Sequence, residues 1–188
     1  LLAGFTVSAQ QSLASRIGRT DPSKYRHYPK RHQGTPEGMY VMTLMEGKQM
    51  KTNLLYMFRG EMPPKGGIGH HHHNHVEEMF LIFDNDAEFT IDGRTARLQG
   101  PIGAPVRYDH SHAIYNPSDR PVQWMTIGVS RVKGVGGRRD IFHDRVGVPV
   151  DAKPVFVTMP LDRKLLKPVE KMNGGNGVAQ YRRALGPG

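Results

Sequence analysis

The stretch His70-His71-His72-His73-Asn74-His75-Val76-Glu77-Glu78 decides how the rest of the chain is interpreted. It holds five of the ten histidines of the 188 residues, and two more follow at His110 and His112. Side chains two residues apart in a strand point to the same face, so His71 and His73 share one face, as do His110 and His112. Neutral imidazoles that converge with a carboxylate form a site for a divalent transition metal: Fe, Mn, Ni, Cu or Zn.

The carboxylate of this site depends on the geometry of the strand. Uninterrupted alternation from His73 brings Glu77 to the histidine face, whereas one extra residue in a bulge brings Glu78 there instead. Asn74 stands where such a bulge is needed, and Asn tolerates the backbone geometry of a bulge. Three histidines are expected on the opposite face or in a loop: His70, His72 and His75.

Short segments with alternating apolar side chains surround the histidine run, and turn residues separate them. Asp92-Gly93 between two such segments is a strong signal for a β-hairpin. Residues 101–109 are expected to form a loop. This spacing favours a β-sandwich or barrel over an α/β fold. The predicted strands are 39–46, 51–60, 70–75, 78–84, 87–92, 94–98, 111–116, 121–130 and 155–157.

Composition excludes several classes of function. The chain has no cysteine, which excludes a disulfide scaffold, a cysteine zinc site and a thiol nucleophile. No apolar run approaches the roughly 18 residues of a membrane span, so no membrane partner is expected. The formal charge is +9, from 26 Lys and Arg against 17 Asp and Glu. These basic residues flank the histidine-rich part, so they are interpreted as solvated flanks, and no nucleic-acid partner is expected.

Two motifs in residues 51–130 resemble those of the cupin superfamily. The first consists of an upstream glycine, His71-x-His73, four residues, Glu78, six residues and then Asn85, where the family has glycine. Asn tolerates the left-handed turn that glycine serves. The second consists of His112, three residues and Asn116. The Pro-x-Gly that usually precedes this histidine is missing.

This resemblance implies an all-β fold, the cupin-type double-stranded β-helix or jelly-roll barrel. The barrel is expected over residues 39–130, with an extended N-terminal arm over 1–38 and a C-terminal tail over 131–188. The resemblance also implies a set of four metal ligands: His71, His73, Glu78 and His112.

Further candidates for the site follow from their positions along the strands. Arg59 ends a strand expected beside the histidine strand, while Tyr115 and Trp124 follow His112. Each is a candidate for lining a ligand cavity. His110 is a candidate proton shuttle or a cap of its loop, and Asn116 is expected to hold its loop by hydrogen bonds.

Both ends of the chain carry weaker signals. The apolar start, followed by Val7-Ser8-Ala9, is similar to the end of a secretory signal, which favours a periplasmic or secreted location; the alternative is a short helix of a cytoplasmic domain. Residues 178–187 resemble the segment that opens the second unit of some two-cupin proteins. The alternative is a tail that packs on a partner. The arm and tail together favour a homodimer, in which they cover an edge strand.

Cupins serve many functions, so the fold alone does not select one. The first hypothesis is a metal-dependent oxidoreductase, dioxygenase-like, that acts on a small organic molecule. The second is a non-catalytic cupin that binds a metal or a sugar. The third is a cupin-type sugar isomerase or epimerase.

Overall fold

Two antiparallel β-sheets face each other in the computed structural model, which describes residues 18–137, 139–141 and 159–183. The signal-like residues and the predicted strand at 155–157 lie outside the described residues. Within them, no helix is long and apolar enough to span a membrane.

The described strands are numbered in chain order. They are β1 (Arg26–Tyr28), β2 (Met39–Glu46), β3 (Leu54–Met62), β4 (Gly67–His73), β5 (Val76–Ile82), β6 (Asp86–Ile91), β7 (Arg94–Gln99), β8 (Ile102–Val106), β9 (Ser111–Tyr115), β10 (Val122–Ser130), β11 (Arg139–Ile141), β12 (Met159–Pro160), β13 (Lys167–Glu170) and β14 (Val178–Tyr181). The described helices are short 3-10 turns at Pro22–Lys24, Arg31–Gln33, Gly47–Gln49, Arg163–Leu165 and Met172–Gly174.

The strand order is that of a jelly roll. One sheet has the order β1-β2-β3-β10-β5-β8-β12, and the other has the order β11-β4-β9-β6-β7. Strands β13 and β14 pair separately as a hairpin. Strands that are neighbours in a sheet are often distant in sequence. Here β4 and β9 pair with each other and bring the two histidine motifs side by side.

The hydrophobic core lies between the two sheets. Trp124 and Phe80 contribute from the larger sheet, and Phe89 and Ile114 contribute from the smaller one. Each of these side chains is at most 2 % exposed. The all-β double-stranded fold expected from the sequence is confirmed.

The arm adds to the barrel at two places. Strand β1 pairs with β2 and so extends the larger sheet. The turn at Arg31–Gln33 then lies against β4, where the His32 carbonyl approaches Gly69 so closely that a Cβ on Gly69 would lie 2.1 Å from its oxygen. Glycine at position 69 is what lets the arm reach the histidine strand.

The loop predicted over 101–109 is wrong, because β8 forms there and pairs with β5. Among the described residues, β12 pairs with Ile102 and Gly103, and Pro105 pairs with Met79 of β5 on the other side. Proline is uncommon inside a strand because it lacks the N–H of the ladder, so the local sequence does not reveal this strand.

The predicted turns are confirmed. Asp92 and Gly93 join β6 to β7, and both have a positive φ, as a tight two-residue hairpin requires. Asn85 also has a positive φ, of 48°, which is the conformation that the family's glycine would serve.

Candidate metal centre

Three strands deliver a buried cluster of three histidines and one glutamate. His71 and His73 come from β4, Glu78 from β5 and His112 from β9, where His112 lies opposite His71 in the register. All four side chains are buried, and their ligand atoms lie within 4.8 Å of one another. The structure thus brings together the four residues that the resemblance implied.

The chain reaches Glu78 by a bend and not by the predicted bulge. Strand β4 ends at His73, and Asn74 and His75 form a bend before β5 starts. Strand β5 then pairs with β10 without a register shift. The two bend residues interrupt the alternation of inward and outward side chains that begins in β4. As a result, Glu78 points inward while Glu77 is exposed.

Hydrogen bonds hold the Glu78 carboxylate at both oxygens. His112 Nε2 donates to Oε2 over 2.6 Å, and the Tyr56 hydroxyl donates to Oε1. His73 Nε2 lies 3.7 Å from Oε2. Burial alone would raise the pKa of Glu78, but the hydrogen bond from His112 and the nearby imidazoles hold that pKa well below its usual range. The carboxylate is therefore ionised and able to act as a ligand.

His71 is held as a neutral imidazole with one nitrogen turned to the cluster. Its Nδ1 lies 2.8 Å from the Gly69 carbonyl, which only accepts hydrogen bonds, so Nδ1 carries the hydrogen and Nε2 keeps a lone pair. Burial lowers the pKa of His71 far below its ordinary value, and the His112 and His32 imidazoles lower it further. A backbone carbonyl behind a histidine is a common way to orient a metal ligand.

The donor set fits a transition metal. Three imidazole nitrogens and one carboxylate oxygen suit Fe, Mn, Ni, Cu or Zn, whereas Ca²⁺ and Mg²⁺ prefer oxygen ligands throughout. The proton that joins His112 to Glu78 lies between two atoms that a cation would bind instead. The buried cluster can therefore hold a metal ion, whose identity the donor set leaves open.

A cavity of about 230 Å³ lies beside the cluster. Its apolar walls include Phe58, Phe80 and Trp124, and its polar lining includes Tyr56 and Thr126. Trp124 Nε1 and Thr126 Oγ1, which belong to two of the lining residues, are buried without a hydrogen-bond partner among the described residues.

Sequence reasoning missed part of this lining. Tyr56 and Phe58 alternate along a predicted strand, but nothing local says which face of that strand is inside. His32, whose ring centroid lies 4.1 Å from that of His71, comes from the arm and carries no local signal. Trp124, a predicted candidate, does line the cavity.

Three other candidates do not lie at the cluster. Arg59 alternates with the inward Phe58, so its guanidinium lies on the outer face and donates to the Trp124 carbonyl over 2.8 Å. Tyr115 alternates with the buried Ile114 and likewise faces away. None of the described residues lining the cavity is Arg59, Tyr115 or His110.

The remaining histidines have other surroundings. His110 Nδ1 lies 2.5 Å from Asp92 Oδ2, just before β9 begins. His72 points away from the cluster, with Nε2 3.5 Å from Asp109 and Nδ1 3.8 Å from Asp140. Neither side chain contributes a ligand atom to the four-residue cluster.

Asn116 holds the loop after β9, as expected. It is fully buried, and its Nδ2 donates to the carbonyls of Met62, Pro63 and Arg120. Its Oδ1 accepts from the backbone and hydroxyl of Ser118. This network fixes the end of the strand that carries His112.

Comparison with known proteins gives a structural likeness only. No protein-family model matches the sequence, and no curated protein matches it. A crystal structure described as a predicted oxalate decarboxylase from Thermotoga maritima superposes with a TM-score of 0.55 and 17% identity, over 58% of this chain and 96% of that one. A Cupin 2 conserved barrel domain protein from Salinispora arenicola gives a TM-score of 0.49 and 16% identity, over 61% and 88%.

A third structure, of a conserved protein with a double-stranded beta-helix domain from Klebsiella pneumoniae, gives a TM-score of 0.44 and 14% identity, over 75% of this chain and 97% of that one. The first superposition covers 58% of this chain at a TM-score above 0.5. The chain therefore has the fold of the cupin superfamily, a double-stranded β-helix.

Proposed function

We propose that the chain is a metal-dependent oxidoreductase that uses dioxygen to oxidise a small organic molecule. The observation that carries this proposal is the buried cluster of three histidines and one glutamate beside a cavity of about 230 Å³. Those four side chains would hold a divalent ion, and the cavity beside them would hold a small substrate.

The ion and the residues around it would have separate roles. A redox-active divalent ion held there would supply the one-electron chemistry that dioxygen needs. Glu78, held by the Tyr56 hydroxyl, would supply the negative charge that balances the cation. Phe80 and Trp124 would exclude water from the bound substrate.

Two buried donors would orient that substrate. Trp124 Nε1–H and the Thr126 hydroxyl have no hydrogen-bond partner among the described residues, and an oxygen atom of the substrate would satisfy them. Such a pair would fix the substrate relative to the metal without contributing a charge.

The two alternatives differ in what they require. A sugar isomerase needs an acid–base pair at the substrate, and the described His110–Asp92 pair lies outside the residues that line the cavity. A non-catalytic binding protein needs no redox-active metal. The choice of metal and the presence of air therefore distinguish the three functions.

The test is metal replacement with an oxygen electrode. The protein is stripped of metal, reloaded with Fe, Mn, Ni, Cu or Zn in turn, and screened for oxygen uptake with phenols and diketones. We expect uptake with at least one redox-active metal and none with Zn²⁺, which has no accessible redox step. Glu78→Gln should abolish uptake, and the exposed neighbour variant Glu77→Gln should retain it. Turnover by the zinc protein under nitrogen would contradict the proposal.

A further inference from the structure

A second cavity, of about 500 Å³, adjoins the one beside the cluster. We call it the outer cavity; it is formed by the arm and strands β2 and β3. Arg31, Met39 and Phe58 line both cavities, so these side chains form the wall that the two cavities share. Arg31 therefore lies between the outer cavity and the cavity beside the metal centre.

The lining of the outer cavity is basic. Lys24, Arg26 and Arg31 line it, all from the arm, and the acidic residue among its described lining is Glu46. Glu46 forms an ion pair with Lys48 and Lys24 forms one with Asp21, so Arg26 and Arg31 give the described lining its net positive charge. The local field is therefore positive, and a cleft that focuses one sign of charge attracts ligands of the other sign.

The cavity beside the cluster, called here the inner cavity, is more apolar. Apart from Arg31, the cluster residues and three polar side chains, its described lining is aromatic and aliphatic: Met39, Phe58, Ile68, Phe80 and Trp124. An apolar chamber with an arginine in its wall suits a molecule with an apolar body and one anionic group. Arginine is suited to hold that group, because its planar guanidinium binds a carboxylate or a phosphate through two parallel hydrogen bonds.

We infer that Arg31 is a specificity-determining residue, and that the substrate is a small organic anion whose charged group binds at Arg31 while its apolar part lies against Phe80 and Trp124. This inference rests on the proposed function, because it names the substrate class of that site. Arg26 attracts the anion, and Arg31 fixes its depth in the cavity. The arm thus takes part in recognition as well as in the sheet.

Binding can be measured without turnover. Trp124 is the single tryptophan of the chain and lines the inner cavity, so its fluorescence reports occupancy directly. The zinc-loaded protein is titrated with benzoate, with phenyl phosphate and with the neutral isostere benzamide. We expect saturable fluorescence changes with an anion, at a Kd about tenfold or more below that of benzamide. A tighter fit for benzoate assigns the site to carboxylates, and a tighter fit for phenyl phosphate assigns it to phosphate esters.

Two variants identify the residue responsible. Arg31→Gln should raise the Kd of the preferred anion about tenfold or more and leave that of benzamide unchanged. Arg94→Gln, which removes the same charge from an exposed position on β7, should change neither. Arg31→Lys should restore part of the affinity, and far-UV circular dichroism checks that each variant is folded.

Several results would overturn the inference. They are equal affinities for benzoate, phenyl phosphate and benzamide, anion binding that persists unchanged in Arg31→Gln, and no saturable signal with either anion. Anions that bind the zinc ion alone would bind Arg31→Gln as tightly as the wild type. Because the titration involves no oxygen, its failure is distinct from a failure of the oxygen-uptake test.

Discussion

Gly128 is expected to control metal binding through Tyr56. In the larger sheet Gly128 lies opposite Tyr56 on one side and opposite Glu78 on the other. With no side chain at position 128, the Tyr56 ring lies across the strand, and its hydroxyl reaches the Glu78 carboxylate. A Cβ on Gly128 would lie 2.3 Å from Tyr56 Cζ, so Gly128→Ala must displace the ring. The ring cannot shift freely, because it stacks on Phe58 with centroids 4.4 Å apart.

The size of the effect follows from the bond that is lost. A hydrogen bond to a charged group contributes about 1.5–3 kcal/mol. Loss of a partner that orients a metal ligand typically costs about 10–100-fold in metal affinity. We therefore expect Tyr56→Phe and Gly128→Ala each to raise the Kd for Zn²⁺ by about 10–100-fold. The double variant should lose no more than the larger single effect, because both changes break the same bond.

The assay is competition for Zn²⁺ with a chromophoric chelator, and urea unfolding of the metal-free proteins checks that each variant folds. Two controls match the substitutions. Tyr115→Phe removes a hydroxyl from a tyrosine outside the described cavity lining, and Gly136→Ala adds a methyl group that meets no atom of the described residues within 4 Å. Additive losses in the double variant, or affinities unchanged from the wild type in either single variant, would refute the reasoning.

Three further predictions concern stability and assembly. Asn116→Ala should lower the free energy of unfolding by about 2–3 kcal/mol, measured by urea titration, because it leaves buried carbonyl groups without a donor. Burial lowers the pKa of His71 below its ordinary 6.5, so below that pH only the unfolded chain takes up this proton. The free energy of unfolding of the metal-free protein should therefore fall by up to about 1.4 kcal/mol per pH unit as the pH decreases. In His71→Leu this part of the pH dependence should disappear from urea titrations across pH 5–7. We also propose a homodimer, since Val132 and Ile141 expose apolar surface in the described part of the tail, and a monomer mass by analytical ultracentrifugation at micromolar concentration would contradict it.

The sequence predicts the residues of the metal centre better than it predicts the strands and side chains around them. Alternation along a strand is a local property, so His71 and His73 could be placed on one face from spacing alone. That His112 would meet them came from the family motif, because spacing does not say which distant strands become neighbours. Glu78 lies in the cluster, as expected. The direction of its side chain is set by a bend at Asn74 and His75, where the sequence predicts a bulge.

The positions of several side chains depend on tertiary contacts, which local sequence patterns do not predict. Arg59 and Tyr56 lie three residues apart on one strand, and only packing of that strand against the core decides which faces the cavity. The strand at Ile102–Val106 depends on its pairing with β5, which cannot be recognised before the neighbouring strands are known. Arg31 and His32 belong to an arm whose position depends on the close approach at Gly69.

The most direct test of the account is the metal content of Glu78→Gln and Glu77→Gln beside that of the wild type, measured by mass spectrometry of the purified proteins. The two glutamates are adjacent in sequence and differ in that Glu78 joins the buried cluster while Glu77 is exposed. We expect about one transition-metal ion per chain in the wild type and in Glu77→Gln, and a loss of most of it in Glu78→Gln, as in His112→Ala. Equal metal content in all four proteins, or a greater loss in Glu77→Gln, would contradict the assignment of the metal centre.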